Sequence, residues 1–108
     1  MNEKDLLKLI KKSILDKKGE KVEVIDVRAI TPFTNYYVIC SASNPRQIDA
    51  IKDAVVDSLS QNKVKINHVE GKAKSGWVLV DAFHVIINVF SKNERERFNL
   101  TQILTRKK

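Results

Sequence analysis

Apolar residues recur at helical spacing at the start of the chain and more densely through its middle. Over residues 3–17 they fall three or four positions apart, which predicts an amphipathic helix that ends before Gly19. β-Branched residues dominate 22–28 and predict a first strand. After a loop at 31–35 with a proline stop, the nearly uninterrupted apolar run 36–41 predicts a central strand covered on both faces.

A second helix is predicted from Pro45, which suits the first helical position, with Asn44 as its cap. Gln47 stands where a capping-box partner belongs. A stripe of apolar residues runs down this helix and consists of Ile48, Ile51, Val55 and Leu59. Residues 64–69 predict another strand, so the unit 36–69 is expected to be a right-handed parallel crossover.

The last third of the chain predicts a hairpin and a closing helix. Residues 70–76 are expected to form a loop, and the strands 77–81 and 85–90 a hairpin with a three-residue connection. A final helix is predicted over 92–104. The fold class is therefore α/β: a single domain over 1–108, with a mixed, mainly five-stranded sheet flanked by helices.

Composition excludes several classes of protein. The chain has 108 residues, 43% of them hydrophobic, which is enough for one core. No apolar run approaches the roughly 20 residues of a membrane span, and no export signal opens the chain, so we expect a cytoplasmic protein without membrane contact. The single cysteine, Cys40, with two distant histidines predicts neither a disulfide nor a metal site. We expect no cofactor.

The charge is basic and concentrated at the end of the chain. Lys and Arg number 20 against 13 Asp and Glu, and residues 92–108 alone contribute +4 of the net +7. A basic excess attracts nucleic acid, which leaves open a general RNA-binding protein that uses the tail at about 105–108. Lysines outnumber arginines 15 to 5, however, and this pattern is more typical of a solvated surface.

Residues with catalytic chemistry are sparse. Only three glycines occur, so a glycine-rich phosphate loop is excluded. Asp26 and Asp81 both lie on predicted strands, and together they could hold magnesium in a nucleotidyltransferase-like enzyme. Their plainer interpretation is as hydrogen-bond acceptors at strand ends. Catalysis therefore has little support.

Aromatic residues cluster around the predicted hairpin. Six of the seven lie on it, beside it or on the central strand: Tyr36, Tyr37, Trp77, Phe83, Phe90 and Phe98. Core packing is the simpler interpretation of Tyr37 and Phe90. Trp77 opens its strand after a flexible stretch, so part of its ring is expected at the surface. Partly exposed Trp, Tyr and Arg are typical of interface hot spots, which favours a compact binding module over an enzyme.

Short segments share their order and spacing with a known family. They are Asp26 in the first strand, 38–43 followed by Arg46 and Gln47, Glu70 with Gly71, Trp77 with Asp81, and 85–90 followed by Arg95 and Phe98-Asn99-Leu100. On these segments, which span about residues 4–104, the chain resembles the ribosomal silencing factors, also called the Iojap family. It departs from the family pattern at Phe83-His84, where Gly-Asp is usual. It departs again at Asn88, where His is usual, at Asn99, where Tyr is common, and in lacking a Trp near its end.

The resemblance implies a nucleotidyltransferase-like topology without catalytic elements. It implies binding to protein number fourteen of the large ribosomal subunit, steric blocking of small-subunit joining, and repression of translation when nutrients are scarce. A weak ribosomal RNA contact through the basic C-terminus and a homodimer off the ribosome stay open. The partner-binding residues expected from the hairpin and closing segment are Trp77, Asp81, Phe83, Asn88, Phe90, Arg95 and Phe98.

Overall fold

The computed structural model describes the backbone of residues 1–98 and the side chains of residues 1–97. Its helices are α1 (Glu3–Asp16), α2 (Pro45–Gln61) and α3 (Lys92–Phe98), with a short 3₁₀ turn at Ala73–Ser75. Its strands are β1 (Glu20–Asp26), β2 (Tyr36–Ala42), β3 (His68–Lys72), β4 (Trp77–Asp81) and β5 (Val85–Ser91). The predicted extension of the last helix to residue 104 lies outside the described residues.

The strands form one mixed sheet in the order β1-β2-β5-β4-β3. β2 and β5 pair in parallel at its centre, and the other three pairs are antiparallel. The predicted five-stranded α/β fold and the β4–β5 hairpin are therefore confirmed. β5 is the central strand of the sheet, and five of its seven side chains are buried. This burial is what a strand covered on both faces requires.

The prediction for the segment after α2 was wrong in its boundaries. The strand expected at 64–69 is His68–Lys72, and it pairs with β4 at the sheet edge. It runs parallel to β2 with β5 and β4 between them, as expected for a parallel crossover. Val64 and Ile66 pack against the core from the connection instead of pairing. Residues 70–72, predicted as loop, belong to this strand because they pair with β4. Gly71 adopts a φ of 91° and approaches β4 closely. A Cβ atom there would lie 2.3 Å from the carbonyl oxygen of Trp77.

The main core lies between the sheet and the two long helices. It contains the α2 stripe together with buried side chains of α1 and of strands β2, β4 and β5. Cys40 belongs to this core with 0% exposure, as predicted, and burial raises the pKa of its thiol to about 12. It is therefore a small apolar residue and not a nucleophile.

Gln47 joins the two long helices. Its side-chain Nε2 donates to the carbonyl oxygens of Lys17 (3.1 Å) and Lys18 (2.9 Å), just beyond the end of α1. Its Oε1 accepts from the backbone N–H of Ser43, one residue before the N-cap Asn44, whose own N–H a capping box would use. Asn44 caps α2 as expected, by accepting from the backbone N–H of Gln47 at 2.8 Å. One side chain thus satisfies backbone groups at both helix ends.

Gln47→Ala should lower the free energy of unfolding by about 1 kcal/mol, because three backbone groups lose their partner. Urea unfolding followed by circular dichroism measures the change. Gln61→Ala, at the exposed end of α2, is the matched control and should change it by less than about 0.5 kcal/mol. Equal effects of the two substitutions would contradict the joining role of Gln47.

Candidate functional site

The sheet has a second face, opposite α1 and α2, on which side chains align in rows across the strands. Directly paired residues share a face, so the strand register assigns the rows. The first row is Ile25, Tyr37, Ile86, Asp81 and His68; the second is Glu23, Ile39, Asn88, Leu79 and Glu70; the third is Ser41, Phe90, Trp77 and Lys72. The buried cluster on this face is Ile25, Val27, Ile39 and Phe90, and it includes no residue of α1 or α2.

Trp77 lies on this second face and is oriented by contacts with Phe90 and Asn88. Its ring stacks on Phe90, with centroids 5.2 Å apart and an interplanar angle of 25°. Its Nε1 donates to Oδ1 of Asn88 at 3.0 Å. Phe90 and Asn88 are each 1% exposed, whereas Trp77 is half-buried, as the sequence predicts. The two buried residues therefore fix the orientation of an indole that reaches the surface.

Asn88 has a second polar group beneath Trp77. Its Nδ2 is buried and has no hydrogen-bond partner among residues 1–97. Among residues 1–97, the side-chain hydrogen bond of Asn88 is the one that its Oδ1 accepts from Trp77. The structure thus brings together Trp77, Asn88 and Phe90 of the predicted set.

Asp81 organises the β4–β5 turn. Its Oδ1 accepts from the backbone N–H of Phe83 at 2.9 Å, and its Oδ2 accepts from Nδ2 of Asn67 at 3.3 Å. Phe83 adopts a φ of 68°, a region that side chains other than glycine rarely occupy, so the Asp81 bond supports a strained turn. The Phe83 ring is 41% exposed, and Nζ of Lys65 lies 5.8 Å from its centroid.

Arg95 fastens α3 to the sheet. Its guanidinium donates to the carbonyl oxygen of Lys21 at 2.7 Å and to Oγ of Ser41 at 3.0 Å, and it pairs with Glu23. Its side chain is only 14% exposed. The structure therefore places Arg95 beneath the surface, between α3 and strands β1 and β2. The side chain of Phe98, the remaining member of the predicted set, lies outside the described residues.

Asp26 and Asp81 do not form a carboxylate pair. Asp26 pairs in register with Tyr36, on the helix-covered face, whereas Asp81 belongs to the second face. The side chain of Arg28 hydrogen-bonds both oxygens of Asp26 and holds the pKa of that carboxyl below its usual value. Within residues 1–97, no group of three or more His, Cys, Asp and Glu side chains is arranged to hold a metal ion.

Sequence reasoning missed Glu70 and Leu79 as members of this surface. They line a pocket of about 200 Å³ on the second face together with Gly71 and Trp77. Leu79 was open to prediction, because alternation along 77–81 places it on the same face as Trp77 and Asp81. Glu70 was hidden because its segment was predicted as a loop.

No helix within the described part of the chain is long and apolar enough to span a membrane.

The chain is similar to known proteins both in sequence and in structure. Residues 1–108 match the family model described as "Ribosomal silencing factor during starvation". The chain is 32% identical over 103 residues to "Ribosomal silencing factor RsfS" of Bacillus subtilis, covering 95% of this chain and 87% of that protein. It is 28% identical over 85 residues to the chloroplastic protein Iojap of Zea mays, covering 79% of this chain and 37% of that protein.

The fold is shared by solved structures. The crystal structure of protein CV0518 from Chromobacterium violaceum superimposes with a TM-score of 0.92 at 26% identity, covering 100% of this chain and 90% of that chain. A crystal structure from Bacillus halodurans gives a TM-score of 0.84 at 29% identity, with 94% of each chain covered.

Trp77→Phe should lower the free energy of unfolding by about 2 kcal/mol, because the buried Oδ1 of Asn88 loses its donor. Urea unfolding followed by circular dichroism suits this test, since the substitution removes the only tryptophan. The control is Phe33→Leu at a side chain that is 86% exposed, where the change should stay within about 0.5 kcal/mol. A Trp77→Phe protein as stable as the control would show that the bond to Asn88 contributes nothing.

Proposed function

Because the chain belongs to the ribosomal silencing factor family, we propose that it binds protein number fourteen of the large ribosomal subunit. Seated there, it blocks joining of the small subunit and so represses translation when nutrients are limited. The family consists of regulatory proteins that associate with the ribosome and silence translation, and it is not a family of enzymes. We assign the action to the cytoplasm, where ribosomes are found.

The observation that carries the proposal is the position of Trp77 on the second face. The ring is fixed from below by Phe90 and Asn88 and is half-buried, so it offers a surface already in one orientation. Rigid aromatic anchors lose little conformational entropy on binding, and tryptophan is enriched among hot-spot residues. This supports the second face as the surface that meets the ribosomal protein.

The predicted partner-binding residues divide into two roles in this proposal. Trp77 and Phe83, which reach the surface, contact the partner directly. Phe90 and Asn88 act beneath Trp77, Asp81 holds the turn that presents Phe83, and Arg95 holds α3 against the sheet. Phe98 follows on the same helix as Arg95 and is proposed as a direct contact.

To block subunit joining sterically, the protein needs only sufficient size and a sufficiently long stay on the large subunit. The described residues have a radius of gyration of 12.9 Å and extents of 34 × 34 × 21 Å. A body of this thickness, held between two surfaces that must come into contact, excludes one of them by volume. An interface of about 1,600 Å² with a few aromatic anchors is compatible with nanomolar affinity, which is enough for residence.

Two further parts of the proposal concern the remaining surfaces. Residues 105–108 include three basic side chains, which favours a weak, salt-dependent contact with ribosomal RNA beside the protein partner. Off the ribosome, a homodimer through the second face would cover the same side chains and would have to dissociate before binding.

Co-sedimentation through a density gradient tests the proposed function. At physiological salt the protein should travel with isolated large subunits and not with small subunits. When small subunits are then added, the fraction of joined ribosomes should fall as the protein concentration rises. A protein that stays at the top of the gradient, or that follows any RNA equally, would overturn the proposal.

Trp77→Ala should weaken binding to large subunits by about thirtyfold or more, because a hot-spot anchor is worth about 2 kcal/mol. Phe33→Ala is the matched control: it removes an aromatic ring that is 86% exposed in the β1–β2 loop, and affinity should change by less than about twofold. Circular dichroism must show that both variants are folded. Normal binding by folded Trp77→Ala would mean that the interface lies elsewhere.

A further inference from the structure

The pocket between β3 and β4 has walls of distinct chemistry. The indole of Trp77 and the side chain of Leu79 supply apolar surface from β4, and Glu70 supplies a carboxylate from β3. Gly71 contributes only backbone atoms. Its φ of 91° would be strained for a residue with a side chain, so the position requires glycine. Glu70 and Leu79 are directly paired across the strands, with Trp77 two residues from Leu79.

The carboxylate of Glu70 is accessible at this pocket. Its side chain is 66% exposed, and its Oε2 contacts Nε2 of His68, two residues earlier on β3. His68 in turn lies with its Nδ1 3.8 Å from Oδ2 of Asp81. The imidazole therefore stands between two carboxylates and braces Glu70 from the turn side, while the Oε1 atom of Glu70 remains for a ligand.

The size and lining of the pocket select its occupant. Pockets for drug-sized molecules have volumes of about 300–1,000 Å³, so about 200 Å³ suits a single inserted side chain. An aromatic ring attracts a cation over its face, and a carboxylate attracts a cation at its edge. A guanidinium satisfies both because it is planar, stacks on rings and presents a fork of N–H donors, whereas a lysine ammonium is a strongly hydrated point charge.

We propose that this pocket receives an arginine side chain of the ribosomal protein, with the guanidinium against Trp77 and Glu70 and the aliphatic stem along Leu79. The proposal rests on the proposed function, since it names the chemistry of the partner at the same surface. It also gives the acidic side chain of Glu70 a binding role in a chain whose net charge is +7. Lys72 lies beside Trp77 in the third row, so the guanidinium belongs on the Glu70 side of the indole.

Glu70→Gln is the deciding variant, because it removes the charge and keeps the shape of the pocket. Affinity for isolated large subunits is measured for the full chain by co-sedimentation at several concentrations. We expect Glu70→Gln to weaken binding by about tenfold, the effect of losing one charge-assisted hydrogen bond to the Oε1 atom of Glu70. The matched control is Asp57→Asn on the exposed side of α2, which changes net charge by the same amount on the far side of the sheet. Its affinity should stay within about twofold.

The outcomes separate the two proposals. If the natural chain binds large subunits and Glu70→Gln binds as well as Asp57→Asn does, the arginine pocket is refuted while the proposed function stands. If both variants lose affinity equally, the effect is one of net charge, and the pocket is again refuted. If the natural chain does not bind large subunits at all, the proposed function fails and the arginine pocket fails with it. Thermal unfolding of each variant excludes loss of folding as the cause.

Discussion

The parallel pairing of β2 with β5 determines which side chains enter the helix-covered core and which form the second face. It extends over seven residues on each strand, from Tyr36 opposite Val85 to Ala42 opposite Ser91. Because side chains alternate along paired strands, this register sends one set of apolar residues toward α1 and α2 and the other set to the second face. A slip of one residue would move Phe90 and Asn88 into the helix-covered core and leave Trp77 without the residues that support it.

The second face combines a buried layer with an accessible one. Phe90, Asn88 and Ile39 form the buried layer, and Trp77 lies over part of it. Around this centre, Asp81 supports the strained turn at Phe83, and Arg95 ties α3 to β1 and β2. Most of the polar side chains of the predicted set thus form hydrogen bonds within the protein. Such internal anchoring is what a binding surface requires if it is to meet its partner without reorganising.

The elements with strong local signals were predictable from sequence. Asn44-Pro45 marks the start of α2 by capping and by the fixed φ of proline, and alternating apolar residues mark the hairpin. The placement of β3 was not predictable. Val64 and Ile66 are typical strand residues but belong to the connection, whereas the residues of His68–Lys72 are exposed and mostly polar. Its strand character comes from pairing with β4, which is a tertiary effect.

The candidate site shows the same division. Trp77 was recognised from its residue type and its place at the head of a strand, and Phe83, Phe90 and Phe98 from their clustering around the predicted hairpin. The family resemblance supplied Asp81, Asn88 and Arg95. Local sequence does not encode how deeply a side chain is buried. The residues next to Asn88 and Arg95 in the sequence do not distinguish a side chain that faces a partner from one that is hydrogen-bonded beneath the surface. Those bonds join residues 11 positions apart for Trp77 and Asn88, and 54 apart for Arg95 and Ser41.

Site-specific photo-crosslinking tests whether the second face meets the ribosomal protein. A photoreactive amino acid at position 79, beside Trp77, is compared with the same group at position 57 on α2, and each protein is irradiated on isolated large subunits. We expect position 79 to crosslink to protein number fourteen of the large subunit and position 57 not to do so. Crosslinking to that protein from position 57 and not from position 79 would contradict it.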